Sequence, residues 1–93
     1  MLQFPRGLAY IAPEVTQHFT DLGRTIEEFL HRHQEADWGD HPRIHQRSSR
    51  ALAYTSQVTP LLSFYKLVGN AGLMITTNSL WTHTAVTWRT VHR

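Results

Sequence analysis

The sequence predicts a small α+β domain, with a short N-terminal strand, three helices and then a three-stranded antiparallel meander. Two observations predict it. Helical periodicity and helix-end signals fill residues 13–54, whereas apolar, β-branched and alternating stretches follow Pro60. No repeat, linker or low-complexity tract divides the 93 residues, and a chain of this length makes one folding unit. Residues 1–93 are therefore expected to form a single domain.

The N-terminal region predicts a strand that leads directly into a helix. The apolar run at residues 7–12 is typical of a strand and is closed by Pro13, which suits the first turn of a helix. Apolar residues then recur at i, i+4 and i+7, followed by a glycine that can end the helix: Val15, Phe19, Leu22 and Gly23. This pattern predicts a short amphipathic first helix.

A second helix is predicted directly after that glycine. Thr25 and Glu28 have the spacing of a capping box, in which each side chain bonds the backbone at the other residue. One apolar face follows, formed by Ile26, Phe29, Leu30 and His33. The helix is expected to end near Ala36.

The corner at residues 37–40, Asp-Trp-Gly-Asp, is expected to separate the second helix from the third. Its glycine interrupts the helix, its tryptophan fills the edge of the core, and Asp40 or His41 caps the next helix. Pro42 suits the first turn of that third helix, which is predicted to continue to about Tyr54. Its core side is formed by Ile44, Ala51 and Leu52.

The C-terminal part predicts the meander. The apolar and aromatic run at residues 61–68, a turn at 69–72 and a β-rich segment at 73–77 predict an antiparallel hairpin. A second turn at 78–81 leads to residues 83–91, where side chains alternate as in a half-buried strand. The meander leaves an edge strand that can pair with a second copy, so homodimerisation is also expected.

Composition excludes several classes of protein. Apolar residues make up 41% of the chain and charged residues 17%, which is typical of a globular protein. No cysteine is present, which excludes disulfides, thiolate catalysis and cysteine-based metal sites. The sequence has neither a membrane-length apolar segment nor a signal-peptide pattern, so it predicts a soluble, cytoplasmic protein without a membrane contact or a cofactor.

Charge is distributed unequally between the two halves of the chain. Residues 1–40 hold all seven acids and three of the nine bases, whereas residues 41–93 hold six bases and no acid. Two interpretations stay open at this stage. Either the halves pack together and neutralise each other, or the surface is dipolar and meets a charged partner.

The third helix carries the most distinct candidate site, a basic stripe with an aromatic end. Its members fall at i, i+4, i+7 and i+11: Arg43, Arg47, Arg50 and Tyr54. Arginines in such a row can hold carboxylates or phosphates bidentately. The alternative is a solvated helix face whose cations pair with the acidic second helix.

Three C-terminal cations extend this candidate surface if the sheet lies nearby, namely Lys66, Arg89 and Arg93. Trp81 occupies a predicted turn, where an aromatic side chain either folds back on the sheet or anchors a partner. The predicted partner-binding set is therefore Arg43, Arg47, Arg50, Tyr54, Lys66, Trp81 and Arg89.

A metal or hydrolytic site is a third, less favoured hypothesis. His41 and His45 are four residues apart at the start of a helix, and Asp37 or Asp40 can complete a three-ligand set. The stretch reads His-Pro-Arg-Ile-His, which places a cation beside the metal and supplies no base between the ligands. No nucleophile motif, P-loop or dinucleotide fingerprint occurs, so we expect no enzyme.

The order of motifs resembles a family of small uncharacterised bacterial proteins of plasmids, integrated elements and phages, often labelled "plasmid-related protein". The resemblance covers residues 7–40 and 61–87. It rests on the Arg-His-x-x-x-Asp-Trp-Gly-Asp corner, a third helix ending in Ala-Leu, Leu-Leu-Ser-x-Tyr, and the end of the hairpin at Ile75. The chain departs from the family pattern at residues 78–82, where members have an acidic, arginine-containing turn, in its basic third helix and in its tail.

The resemblance implies the fold and a mobile-element setting, and it transfers no activity. Small accessory proteins of phages and plasmids often act by binding. The leading expectation is therefore a non-enzymatic protein-interaction module that inhibits a host defence nucleoprotein complex, of anti-CRISPR or anti-restriction type. The alternative is a small basic regulator that binds nucleic acid weakly through the same arginines.

Overall fold

The computed structural model describes residues 4–53 and 60–90, in which three helices pack against a four-stranded mixed sheet. Its elements in chain order are β1 (Leu8–Ile11), α1 (Pro13–Leu22), α2 (Ile26–Gln34), α3 (Pro42–Ala53), β2 (Leu61–Val68), β3 (Ala71–Thr77) and β4 (His83–Thr90). The predicted α+β class is confirmed. Within the described part of the chain, no helix combines the length and the apolar character that a membrane crossing requires.

The sheet corrects the predicted topology in detail. Its strand order is β1-β4-β3-β2, with β2, β3 and β4 antiparallel and β1 parallel to β4. The N-terminal strand thus extends the meander into a mixed sheet, which the prediction omitted. The turn between β2 and β3 is also shorter than predicted, because Ala71 already pairs with Val68 and leaves only Gly69 and Asn70 between the strands.

Helices α1 and α2 cover one face of the sheet, here called the inner face, and enclose the main core. The buried apolar side chains that meet there are Val15, Phe19, Phe29, Leu30, Tyr65, Leu73, Ile75 and Val86. The predicted apolar faces of both helices are therefore confirmed. Alternate residues of each strand point to the opposite, outer face.

The helix ends agree with the prediction only in part. Gly23 follows α1 in the left-handed conformation, with φ +64°, as a stop residue should. Thr25 is the N-cap residue of α2, but its side chain makes no capping hydrogen bond. Glu28 instead accepts a hydrogen bond of 2.7 Å from Arg24, so the predicted capping box does not form.

The Asp-Trp-Gly-Asp corner closes the free edge of β2 with backbone and side-chain hydrogen bonds. The Phe64 N–H donates to the Trp38 carbonyl at 3.0 Å, and the Asp40 N–H donates to the Phe64 carbonyl at 2.8 Å. Two residues further along β2, the Lys66 N–H donates to the Asp40 carboxylate at 2.9 Å. Gly39, with φ +91°, is required there because a Cβ would lie 2.0 Å from the Phe64 carbonyl oxygen.

The tryptophan of this corner anchors a second apolar cluster, as predicted. Trp38 is 1% exposed and stacks on Phe4 with ring centroids 6.0 Å apart. Ala51 of α3 and Leu61 of β2 complete the buried part of the cluster. The corner, the third helix and the end of the sheet are thus packed together.

Ser48 fixes α3 to the same strand edge. Its hydroxyl donates to the Leu62 carbonyl at 2.6 Å and accepts from the Leu62 N–H at 2.9 Å. The three outward N–H groups of β2, at Leu62, Phe64 and Lys66, therefore all have acceptors from outside the sheet. Helical spacing contained a signal for this residue, because Ser48 lies between Ile44 and Ala51 on the predicted core side of α3.

Replacing Ser48 by alanine should lower the free energy of unfolding by about 1–3 kcal/mol, because both backbone groups of Leu62 lose a partner where Ser48 itself is fully buried. Urea titration followed by circular dichroism measures the change. The matched control is Ser49→Ala, at the half-buried neighbouring position, which should stay within about 0.5 kcal/mol of the parent. Equal losses for the two variants would contradict this role of Ser48.

Candidate functional site

The exposed side of α3 carries the predicted arginine stripe. Arg43, Arg47 and Arg50 are all exposed, whereas Ser48 and Ala51 on the other side of the helix are buried. Adjacent arginines of the stripe are separated by about one turn, so the three guanidinium groups span roughly 10 Å along the helix axis. Tyr54, the predicted aromatic end of the stripe, lies outside the described residues.

Three of the seven acids form ion pairs with arginines elsewhere in the fold. Ion pairs join Arg6 to Glu27 at 3.3 Å, Arg24 to Glu28 at 2.7 Å and Arg32 to Asp37 at 2.7 Å. Both partners of each pair lie in residues 1–40. Among the described residues, no ion pair or side-chain hydrogen bond reaches the arginine stripe, so the alternative in which α2 neutralises it is not observed.

The Arg32–Asp37 pair forms part of the corner. The hydrogen bond from Arg32 lowers the pKa of Asp37, and the same bond raises the pKa of Arg32. The Arg32 guanidinium also lies over the Tyr65 ring, 4.5 Å from its centroid, while the Tyr65 hydroxyl donates to the Asp37 carbonyl at 2.5 Å. Asp37 is thereby held at the end of α2.

Lys66 and Arg89 form a second group of cations, on the outer face of the sheet. Both residues are exposed and pair in register with Gly72, which stands between them on β3. Two strand spacings place their Cα atoms roughly 10 Å apart. Asp40, which accepts the Lys66 N–H, precedes Arg43 by three residues, so α3 begins at this end of β2. Arg93 lies outside the described residues.

Trp81 does not join these cations. It is half-buried, has φ +59°, and packs against Phe4 with ring centroids 5.6 Å apart. Its turn connects β3 and β4 at the end of the sheet opposite the Lys66–Arg89 row. The large apolar side chain that this turn exposes is Leu80, at 66%, which was not among the predicted binding residues.

A buried polar chain crosses the inner face of the sheet. His33 Nδ1 lies 2.5 Å from the Ser63 hydroxyl, and its Nε2 lies 2.9 Å from the Thr77 hydroxyl. Thr77 and Thr84 hydroxyls are 2.8 Å apart, and Thr84 donates to the Arg6 carbonyl at 2.7 Å. The four side chains are at most 1% exposed.

The hydrogen bond from Thr84 to the Arg6 carbonyl determines the direction of the other hydrogen bonds in this series. Thr84 uses its proton on a carbonyl, so Thr77 must donate to Thr84 and His33 must donate to Thr77 through Nε2–H. Nδ1 is then the acceptor, and Ser63 donates to it. Burial lowers the pKa of His33 to about 3, which agrees with a neutral ring.

Sequence reasoning found no base for Ser63, and the structure places one beside it. A serine hydroxyl in contact with an imidazole is the arrangement of a nucleophile and its base. Here both groups are fully buried, and the chain of donors ends on a backbone carbonyl. The arrangement links α2 to β2, β3, β4 and the N-terminal segment. Its only signal in the sequence is His33 on the apolar face of α2.

The hypothetical metal site gains no support. Across residues 4–53 and 60–90, no group of three or more histidine and acidic side chains converges. Asp37 is bound to Arg32, and Asp40 to the backbone of β2. His41 accepts the first backbone bond of α3, from the His45 N–H at 2.9 Å, so it rather than Asp40 occupies the N-cap position.

No protein-family model matches the chain, and no curated protein and no solved structure is significantly similar to it.

The buried histidine predicts an acid-dependent loss of stability. The unfolded chain binds a proton at the ordinary histidine pKa of 6.5, whereas folded His33 does so only near 3. Its contribution is thus complete above about pH 6.5 and decreases as the pH falls towards 3, by up to about 1.4 kcal/mol per pH unit. Urea unfolding between pH 7 and 4.5 measures this dependence.

The variant His33→Gln isolates the effect. It should be less stable than the parent at pH 7, because Gln reproduces the two buried hydrogen bonds imperfectly, and the difference should shrink as the pH falls. The control is His45→Gln, at an exposed position of α3, which should keep the parent's pH dependence. A difference between the parent and His33→Gln that stays constant with pH would show that His33 does not titrate in this way.

Proposed function

We propose that this chain is a non-enzymatic interaction protein of a phage or another mobile element, and that it inhibits a host defence nucleoprotein complex by docking through the arginine stripe. One observation carries the proposal. Arg43, Arg47 and Arg50 are exposed on one side of α3 and have no ionic partner among the described residues. A binding partner with an anionic surface would supply the ionic partners that these arginines lack among the described residues.

The position of these arginines favours binding over stability. Arg43 lies in the first turn of α3, where the positive end of the helix dipole disfavours a cation, and that turn contains no acid. Arg43 and Arg47 also form a like-charge pair at i, i+4, which is mildly destabilising. A helix face selected only for stability would carry an acid in place of Arg43, whereas Arg50 in the last turn is favourably placed.

The chemistry of the stripe indicates the kind of surface it meets. Guanidinium groups bind carboxylates and phosphates bidentately, and the three groups recur at intervals of one helical turn. A cationic face is repelled by a cationic nucleic-acid channel. The proposed contact is therefore either an acidic patch of the defence protein or the nucleic acid bound within the complex.

The mobile-element setting comes from the resemblance of residues 7–40 and 61–87 to plasmid and phage proteins. The basic third helix is one of the segments in which this chain departs from that family. A protein that binds a partner of its own is expected to differ from that family at its binding surface, and the exposed arginine stripe lies in such a segment.

Expression of the chain in a host with an active restriction or CRISPR system should raise the plating efficiency of a targeted phage. Replacing Arg47 and Arg50 together by Glu should abolish this effect and the capture of the complex, while the circular dichroism spectrum stays unchanged. The physical reason is charge reversal at the centre of the stripe, where attraction becomes repulsion.

The matched control is Arg24→Glu, compared with Arg47→Glu alone so that the net charge changes equally. Arg24 binds Glu28, and an exposed pair of this kind contributes about 0–1 kcal/mol, so the fold should survive. This control should still inhibit. Retained inhibition by the stripe variant, or equal loss in both variants, would contradict the assigned surface.

A weak nucleic-acid-binding regulator is the second candidate, favoured by Lys66 and Arg89 as further exposed cations without ionic partners among the described residues. Binding of a labelled duplex, titrated with salt, separates the two candidates. If three arginines contact phosphates, the logarithm of the affinity should fall with the logarithm of salt with a slope of about −3. Absence of binding at low salt would exclude this candidate.

A further inference from the structure

Strand β1 is an edge strand of the sheet that the described residues form. The Leu8 N–H donates to Thr82 and the Ala12 N–H to Val86, so alternate residues of β1 face β4. Ala9 and Ile11 alternate with the residues that face β4, and they direct their backbone N–H and C=O groups away from the sheet. No other strand within residues 4–53 and 60–90 pairs with these four groups, so they can bind a further strand.

The two edges of the sheet are treated differently. The β2 edge is closed by the corner and by Ser48, as described above, whereas β1 carries no charge, proline or bulge that would discourage pairing. Its side chains on the outer face are apolar and exposed, with Leu8 at 74% and Tyr10 at 62%. Beside them lies an open depression of about 380 Å³, whose lining includes Pro60, Thr76 and Ala85.

We propose that β1 pairs antiparallel with β1 of a second copy, about a two-fold axis that passes Tyr10. In this register residue n lies opposite residue 20 − n of the second copy. Ala9 therefore faces Ile11 of the second copy, and Ile11 faces its Ala9. Each pair exchanges two hydrogen bonds, which satisfies all four outward groups of each strand. Pro13 has no N–H and ends the pairing, which explains how so short a strand defines a single register.

Side-chain chemistry selects a second copy as the occupant. At each end of the paired residues, the first turn of α1, which carries Glu14, meets the segment that precedes β1 in the second copy and carries Arg6. Glu14 is exposed and makes no ion pair with any described residue, and the Arg6 side chain keeps 31% exposure beside Glu27. On the outer face, Tyr10 is adjacent to Tyr10 and diagonal to Leu8 of the second copy, so the exposed apolar groups cover one another.

The resulting dimer is an eight-stranded sheet with an arginine stripe at each end. Because β1 and β2 are the two edges, and α3 packs beside β2, the stripes point away from the dimer contact. Two stripes on one particle bind a repeating anionic partner with the gain in avidity that linked sites give. The dimer itself does not depend on the function proposed for the stripe.

The absence of cysteine permits a direct test. Tyr10→Cys places one thiol on the axis, where the Cα atoms of a non-hydrogen-bonded pair are about 4.5 Å apart and within disulfide reach. The control is Leu8→Cys, on the same face and at least as exposed. In the proposed register its Cα lies about 14 Å from its copy, too far for a disulfide.

Mild oxidation of each variant, analysed on non-reducing gels, should give a covalent dimer at least ten times faster for Tyr10→Cys than for Leu8→Cys.

Sedimentation equilibrium of the unmodified chain should show twice the monomer mass. The variant Ala9→Pro, which removes an outward N–H, should shift the chain to monomer. Equal crosslinking rates, or a parent chain that stays monomeric at millimolar concentration, would overturn the proposal and leave β1 for a different protein's strand.

Discussion

The exposed edge of β2 depends on hydrogen bonds from groups outside the sheet. Trp38, Asp40 and Ser48 supply the acceptors for its outward N–H groups, and Asp40 and Ser48 also donate to its carbonyls. An unpaired buried backbone group costs about 1–3 kcal/mol, so these contacts weigh heavily in a domain of this size. They explain the left-handed Gly39 and the carboxylate of Asp40, whereas the Trp38 ring packs in the second apolar cluster and the Asp37 carboxylate binds Arg32.

The same contacts determine which side of α3 faces solvent. Ser48 holds the helix against β2, and Ala51 packs with Trp38, so Arg43, Arg47 and Arg50 are directed outward. The charge asymmetry of the chain persists in the fold because the ion pairs between described residues lie within residues 1–40. The proposed function follows from this separation of charge, and the proposed dimer would double it.

Local sequence signals predicted most of the fold. Helical and alternating periods placed the three helices and three C-terminal strands, because each element buries one face and repeats accordingly. They did not place β1 beside β4, since that contact joins residues some 75 positions apart. In the site, helical spacing placed the arginines on one side of α3, but it did not determine their exposure or the tertiary position of Trp81. The Ser63–His33 contact escaped notice for the same reason, and Tyr54 lies outside the described residues.

Native-state hydrogen exchange of the β2 amides tests the central claim most directly. If the corner closes the strand edge, the N–H groups of Phe64 and Lys66 should exchange as slowly as those that β2 shares with β3, at rates set by unfolding of the whole domain. The variant Gly39→Ala, whose Cβ meets the Phe64 carbonyl, should release both amides or unfold the chain. Exchange of Phe64 and Lys66 in the parent protein at the rate of an open edge would contradict the account.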